Sequence, residues 1–302
     1  MEYRGRFAPS PTGDLHFGSL VSALASWLDA RAHRGRWLLR IEDLDTARCV
    51  PGAAPAIIGA LERLGLVHDG TAEWQSARTA HYARALEHLR LAGLAFPCGC
   101  SRSELAAAAP GVDGPVYPGT CREGLGEGRL ARAWRVRVDA GDIVVDDAIQ
   151  GPIRQRLGTD VGDFVVRRAD GPWAYQLAVV VDDAAQGVTH VVRGADLLDS
   201  TPRQCYLQRL LGFESPRYAH VPVAVDRQGN KLSKQGLAPA VDPQSAVRWL
   251  CAALEFLGQP APPASATDVR TLLDRAVARW DVRRIPARRT QPAPEFVLRS
   301  VQ

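Results

Sequence analysis

Three groups of residues in this chain have the types and spacing to do chemistry. Near the N-terminus runs Arg6-Phe7-Ala8-Pro9-Ser10-Pro11-Thr12-Gly13-Asp14-Leu15-His16-Phe17-Gly18-Ser19. Gly13 and Gly18 permit a sharp turn and close backbone approach. A helix beginning near Gly18 aims free N–H groups and a positive dipole end outward, where phosphate binds and His16 can donate to it. Much later comes Lys231-Leu232-Ser233-Lys234-Gln235, after the turn-rich Asp226-Arg227-Gln228-Gly229-Asn230. Two ammonium groups on such a loop would neutralise charge building on a pyrophosphate leaving group. Singly, the first segment also reads as an ordinary capped helix and the second as a solvated basic turn. Together they form a clamp for a nucleoside triphosphate, which points to chemistry on ATP. The third group is Cys98-Gly99-Cys100 with Cys121. Thiolates are preferred zinc ligands, and structural zinc is usually four-coordinate. Glu104, Asp113, His81 or water are open as a fourth ligand, and three reduced thiols without metal are the alternative. Cys49, Cys205 and Cys251 read as inert thiols, and His33, His68, His81, His88 and His220 show no partner spacing.

These groups need elements to hold them. The opening segment reads strand, loop, helix, strand: Leu20, Leu24, Trp27 and Leu28 have helical spacing, and Gly35 closes that helix. Trp37–Ile41 suits a strand buried on both faces. Helical stretches follow around Pro55–Leu66 and Arg78–Leu94. This alternation predicts an α/β fold, a doubly wound parallel sheet with ligands at the carboxyl ends of its strands. Residues 96–128 are rich in Gly and Pro and read as an inserted lobe holding the cysteines. Trp134, Val136 and Val138 alternate with Arg135 and Arg137 as a half-buried strand. Thr189–Arg193 predicts another inner strand, and Ser200-Thr201-Pro202 a capped helix start. The expected divisions are 1–95 for the first half of the catalytic unit, 96–128 for the cysteine insertion, 129–225 for an acceptor-binding insertion and the second half of the catalytic unit, and 226–302 for the basic loop and a short helical remnant. A solvated, arginine-rich tail is expected from Arg283 onward.

Composition bounds the answer without deciding it. The 302 residues are 46% hydrophobic and 23% charged with a net charge of +4, ordinary for a globular protein. The N-terminus lacks the apolar run of a signal peptide, and the most apolar stretch, Trp173–Val181, is too short to span a bilayer. A cytoplasmic protein with no membrane contact is expected, and scattered cysteines argue against a disulfide framework.

Phe7–Ser19 and Lys231–Gln235 resemble the "HIGH" and "KMSKS" motifs of class I aminoacyl-tRNA synthetases. Arg40-Ile41-Glu42-Asp43-Leu44-Asp45-Thr46-Ala47-Arg48 resembles the glutamyl subgroup, as do Val179–Asp183, Thr189–Asp196 and Thr201–Gln204. The resemblance spans about residues 4–240. Ser19 replaces the last histidine of the first motif and Leu232 the methionine of the second, and neither change removes a charge. The resemblance implies a Rossmann-type catalytic core in which Arg6 and Arg193 hold glutamate carboxylate oxygens. Ser10 adds a hydrogen bond, Glu42 pairs with the substrate ammonium, and Tyr175 lines the same pocket. It places His16, Gly18, Ser19, Lys231, Ser233 and Lys234 around ATP, with Mg²⁺ on the phosphates, and makes His16, Lys231 and Lys234 the catalytic groups. For Arg193 and Glu42, a plain ion pair is the competing reading.

The cysteines sort the subgroup. Zinc-bearing glutamyl enzymes typically carry Cys-x-Cys and Cys-x-His, but residue 123 is Glu. Cys98-x-Cys100…Tyr117-x-x-x-Cys121 instead resembles the short glutamyl-Q paralogues. That likeness implies one structural zinc on Cys98, Cys100, Tyr117 and Cys121. It also implies a monomer that forms glutamyl-adenylate from ATP and L-glutamate and transfers glutamate to the queuosine base of tRNA(Asp). Only 67 residues follow Gln235, so no anticodon-binding domain with its own core is expected. The rivals are a truncated synthetase charging the 3′ end of tRNA(Glu) and a catalytically inactive tRNA-binding module.

Overall fold

The computed structural model describes residues 2–232, 240–260 and 268–299. The chain begins β1 (Arg4–Phe7), α1 (Phe17–Ala32), β2 (Arg36–Ile41), α2 (Ala53–Arg63), β3 (Glu73–Trp74) and α3 (Thr79–Leu91). It crosses the cysteine region as β4 (Ala95–Cys98), α4 (Arg102–Ala106), β5 (Pro110–Gly111), β6 (Gly114–Pro115) and β7 (Ala133–Val136). Then come β8 (Asp142–Asp147), β9 (Gly151–Arg156), α5 (Leu157–Asp160), β10 (Val165–Arg167), α6 (Tyr175–Ala185) and β11 (His190–Gly194). α7 (Thr201–Leu211), β12 (Arg217–Val221), β13 (Val223–Val225), α8 (Ala246–Phe256), α9 (Val269–Arg279), β14 (Thr290–Pro292) and α10 (Glu295–Arg299) complete it.

β1 runs parallel to β2, and β2 to β3. β11 runs parallel to β12, which is parallel to β8, and only β9 turns back against β8. The Thr189 N–H donates to the Arg4 carbonyl at 2.9 Å, which sets the start of β11 beside β1. Side chains alternate along these strands and feed two separate cores. Val192, Ala219 and Val221 pack with α1 and α8, whereas Val191 and Tyr218 pack with α6 and α7. Burial on both faces is why these strands read as apolar runs. Their carboxyl ends share one edge, where His16, Glu42 and Pro222 all follow a strand.

β4, β7 and β10 form an antiparallel sheet of their own. Next to it, Phe96, Cys98, Tyr117 and Cys121 make a small third core.

Four local expectations fail for physical reasons. The left-handed residue after α1 is Arg34, at φ 54°. Gly35 is needed because a Cβ there would sit 2.4 Å from the Tyr3 carbonyl oxygen. Ser200 does not cap α7, since a 3-10 turn runs straight into the helix and its Oγ is used by Gln176 and Arg203 instead. Arg135 does not alternate outward from β7. It is buried, donates to the Asp163 carbonyl at 2.8 Å, and stacks its guanidinium 3.9 Å from the Tyr117 ring centre. The segment after Arg283 is not a solvated tail: β14 pairs with β13, and Ala293 and Val297 enter the main core.

Candidate active site

A cavity of about 680 Å³ opens at the strand-end edge. Arg6, Ser10, His16, Gly18, Ser19, Glu42, Tyr175, Arg193 and Lys231 all line it. Ser233 and Lys234 lie outside the described residues. The two distant motifs therefore meet at one cavity as far as Lys231.

Backbone geometry explains the convergence. The Glu42 N–H donates to the Pro9 carbonyl at 3.0 Å, tying the loop after β1 to the end of β2. Ser10 and Glu42 thus reach the same space. His16 is the N-cap of α1, where its Nδ1 accepts from the Ser19 N–H at 3.3 Å and its Nε2 lies 3.0 Å from the Ser19 hydroxyl. A Cβ on Gly18 would come within 3.3 Å of that ring, so the small residue leaves the histidine room at the helix start. Leu232, at the methionine position of the second motif, is buried in the main core, and its N–H donates to the Ala224 carbonyl at 3.0 Å. That anchor leaves Lys231 at the rim, where its Nζ meets Asp196 at 2.6 Å.

The floor is ionic. Arg6 donates to Asp183 at 3.2 Å and Arg40 to the same carboxylate at 2.7 Å. Burial alone would raise the Asp183 carboxyl, but the two guanidinium groups hold it below the usual carboxylate range. One residue earlier on α6, Asp182 accepts from Gln75, Arg78 and Tyr82 at 2.6–2.8 Å. Glu42 is the carboxylate left over. It lies 3.6 Å from Arg40 without a hydrogen bond to its Oε1, and burial pushes it up to about 7 despite the nearby Arg40 and Arg6.

Arg193 is held differently. It is 4% exposed. Its Nε donates to His220 Nε2 at 3.0 Å, one terminal nitrogen to Tyr175 at 3.2 Å, and the other to Thr201 at 3.0 Å and Gln204 at 2.8 Å. None of these partners is an acid, and among the described residues it has no ion-pair partner. Its charge is uncompensated inside the cavity, which favours a ligand carboxylate. The plain ion-pair reading of Arg193 therefore fails, while Glu42 keeps only a long contact with Arg40.

Sequence reasoning named the lining and missed its supports. Asp182 and Asp183, adjacent acids inside the apolar run Leu177–Ala185, were the available signal for buried partners of arginine. His220, which shows no partner spacing in the sequence, proves to be a buried partner of Arg193. Nothing local in Ala219-His220-Val221 tells one from the other.

In the cysteine lobe, the Cys98, Cys100 and Cys121 sulfurs lie within 4.8 Å of one another. Cys100 and Cys121 are 3.6 Å apart, close to the roughly 3.8 Å separation expected of two thiolates about 2.3 Å from one tetrahedral zinc. The Tyr117 hydroxyl lies 3.5 Å from Cys98 and 3.8 Å from Cys100, and accepts from the Cys121 N–H at 2.8 Å. Burial works to raise Cys98, yet the Tyr117 hydroxyl, the Cys100 N–H and Arg135 bring it down to about 7. The other conceivable ligands are engaged elsewhere: Glu104 by Ser101 and Arg129, Asp113 by Arg203, and His81 by Arg84. The donor set fits zinc. Among the described residues, no helix is long and apolar enough to cross a membrane.

Residues 2–250 match the family model of tRNA synthetases class I (E and Q), catalytic domain. A glutamyl-Q tRNA(Asp) synthetase of Aromatoleum aromaticum is 57% identical over 294 residues, covering 97% of this chain and 93% of the relative. One from Chromobacterium violaceum is 55% identical over 286 residues, covering 94% and 96%. Among solved structures, a glutamate-tRNA synthetase from Elizabethkingia anophelis superposes with a TM-score of 0.80 at 24% identity, over 100% of this chain and 70% of that one. That likeness concerns the fold. With the family model spanning most of its length, the chain belongs to the class I tRNA synthetases of the glutamyl and glutaminyl type.

Proposed function

We propose that the protein activates glutamate with ATP and transfers it to the queuosine base of tRNA(Asp). One observation carries the reading of an amino-acid substrate. Arg193 offers a buried cation held only by neutral groups, and Glu42 offers a carboxylate whose buried Oε1 has no hydrogen bond, in one cavity. A small molecule bearing both carboxylate and ammonium groups satisfies both. Arg6, already shared with Asp183, adds a second guanidinium edge for carboxylate oxygen, and Ser10 and Tyr175 close the pocket.

The N-terminus of α1, with His16 and Ser19, takes the phosphates, Lys231, Ser233 and Lys234 supply charge and hydrogen bonds to them as the motif's resemblance implies, and Mg²⁺ accompanies ATP. A glutamate carboxylate oxygen then bonds the α-phosphorus as the bond to the bridging oxygen breaks. The electron pair leaves on pyrophosphate, so no side chain need act as nucleophile. In the second step a queuosine hydroxyl attacks the activated carbonyl and AMP departs. Cys98, Cys100, Cys121 and Tyr117 would hold one zinc, whose chemistry here is to cross-link the lobe. The names of the curated relatives favour tRNA(Asp) over tRNA(Glu).

The test has two parts. Glutamate-dependent pyrophosphate exchange should proceed with no tRNA present, and its absence at saturating ATP and Mg²⁺ would defeat the activation step. Labelled glutamate should then appear on queuosine-containing tRNA(Asp), and neither on queuosine-free tRNA(Asp) nor on tRNA(Glu).

A further inference from the structure

The contacts that hold Arg193 extend beyond the pocket. His220 and Asp147 are both fully inaccessible or nearly so, on the adjacent strands β12 and β8. The Asp147 Oδ1 accepts three backbone N–H groups, from Ile149 at 3.0 Å, Gln150 at 2.9 Å and His220 at 3.1 Å. Its Oδ2 lies 2.6 Å from His220 Nδ1. A carboxylate so placed keeps the imidazole proton on Nδ1. The Nε2 lone pair then accepts from Arg193 Nε–H, 3.0 Å away, with the Thr201 hydroxyl 3.2 Å from the same nitrogen. Burial pushes His220 down to about 4, so the ring is neutral and adds no second cation beside the guanidinium.

We propose that Asp147 and His220 are positioning residues that fix the tautomer and angle at which Arg193 receives a glutamate carboxylate. This rests on the functional reading above. Three of the guanidinium's five donors go to His220, Thr201 and Gln204, and a fourth to Tyr175, leaving one N–H for the ligand. A small rotation about Nε would turn that donor away. An Asp147→Asn change makes a sharp probe. Its oxygen would stay with the three backbone N–H groups, and its new NH₂ would face His220 Nδ1. That forces the proton to Nε2, so donor then meets donor at Arg193.

Glutamate-dependent pyrophosphate exchange on the whole chain, for wild type, D147N, H220L and H220Q, tests this. Loss of a charge-assisted bond predicts a glutamate KM at least roughly tenfold higher in D147N and H220L. The ATP KM should stay within about twofold, since a positioning effect on one substrate does not loosen the other's site. H220Q keeps an acceptor within reach of Arg193 and should hold the glutamate KM within about threefold of wild type. A wild-type glutamate KM in D147N overturns the proposal, as does an ATP KM that rises in step with it. H220Q behaving like H220L overturns it too. If H220L does not fold, D147N, which removes no heavy atom, decides on the same terms. An active wild type with indifferent variants sinks this proposal alone, whereas a wild type without exchange sinks the functional reading and this proposal with it.

Discussion

Two arginines line the cavity from neighbouring strands, equally buried at 3% and 4% exposure, and their surroundings differ in kind. On the β1–β2–α6 wall, Arg6 and Arg40 share Asp183, so charge cancels charge within the protein. On the β11–β12–α7 wall, Arg193 meets a phenol, a hydroxyl, an amide and a neutral imidazole, and its charge is left over. A buried ion pair is complete without a ligand and contributes mainly to holding elements together. A buried charge caged by neutral dipoles is costly until an anion arrives, which favours a bound carboxylate at that point. Glu42 is the complementary remainder on the first wall.

Removing each arginine separates these roles. Arg193→Leu should lower kcat/KM for glutamate by roughly 10²- to 10³-fold in pyrophosphate exchange, with the ATP KM little changed. Arg6→Met breaks a buried pair and should cost about 3 kcal/mol of stability, read as a Tm lower by about 6 °C. Arg193→Leu should lower Tm by less than half as much. Equal thermal losses in the two variants would erase the distinction between the walls.

Glu42 sharpens the comparison through pH. Its carboxyl is raised to about 7 by burial, so it is protonated below that pH and cannot then pair with an ammonium group. The glutamate KM should therefore rise about tenfold between about pH 8 and about pH 6. Glu42→Gln should raise the KM at about pH 8 by roughly a hundredfold and flatten that limb. A variant that keeps the limb would assign the titration to another group.

The cysteine lobe lies apart from both walls, with its own core. Chelation, or Cys98→Ser, should release one zinc per chain and lower the thermal midpoint, measurable by metal analysis and melting. The glutamate KM should stay within about twofold, because no lobe residue lines the cavity. The smallest effect belongs to Asp196→Asn. The Lys231–Asp196 pair is exposed, so freeing the lysine should shift the ATP KM by less than about fivefold.

Much of the cavity lining was legible in the chain because the motifs that carry the family resemblance are short segments at or just after strands. Arg6, Ser10 and His16 lie within eleven consecutive positions, and Glu42 immediately follows β2. The supports were not legible. Asp183 reaches Arg6 across 177 residues and Asp147 reaches His220 across 73, distances over which no local pattern records a contact. Arg135 shows the same limit in a strand, where period-2 reasoning placed it outward and an aromatic face drew it in. The segment after Arg283 shows it at the other end of the chain: its composition reads as solvated, and it becomes a strand only because β13 offers an unpaired edge.

By itself the sequence determined which chemical groups are present: a helix start suited to phosphate, a basic segment, arginines suited to carboxylate, and a sulfur cluster suited to zinc. Only tertiary structure decided which of those charges are cancelled and which are left for a ligand. Compensation is a property of who lies within about 3–4 Å in a low-dielectric interior, and that is settled by folding rather than by order along the chain.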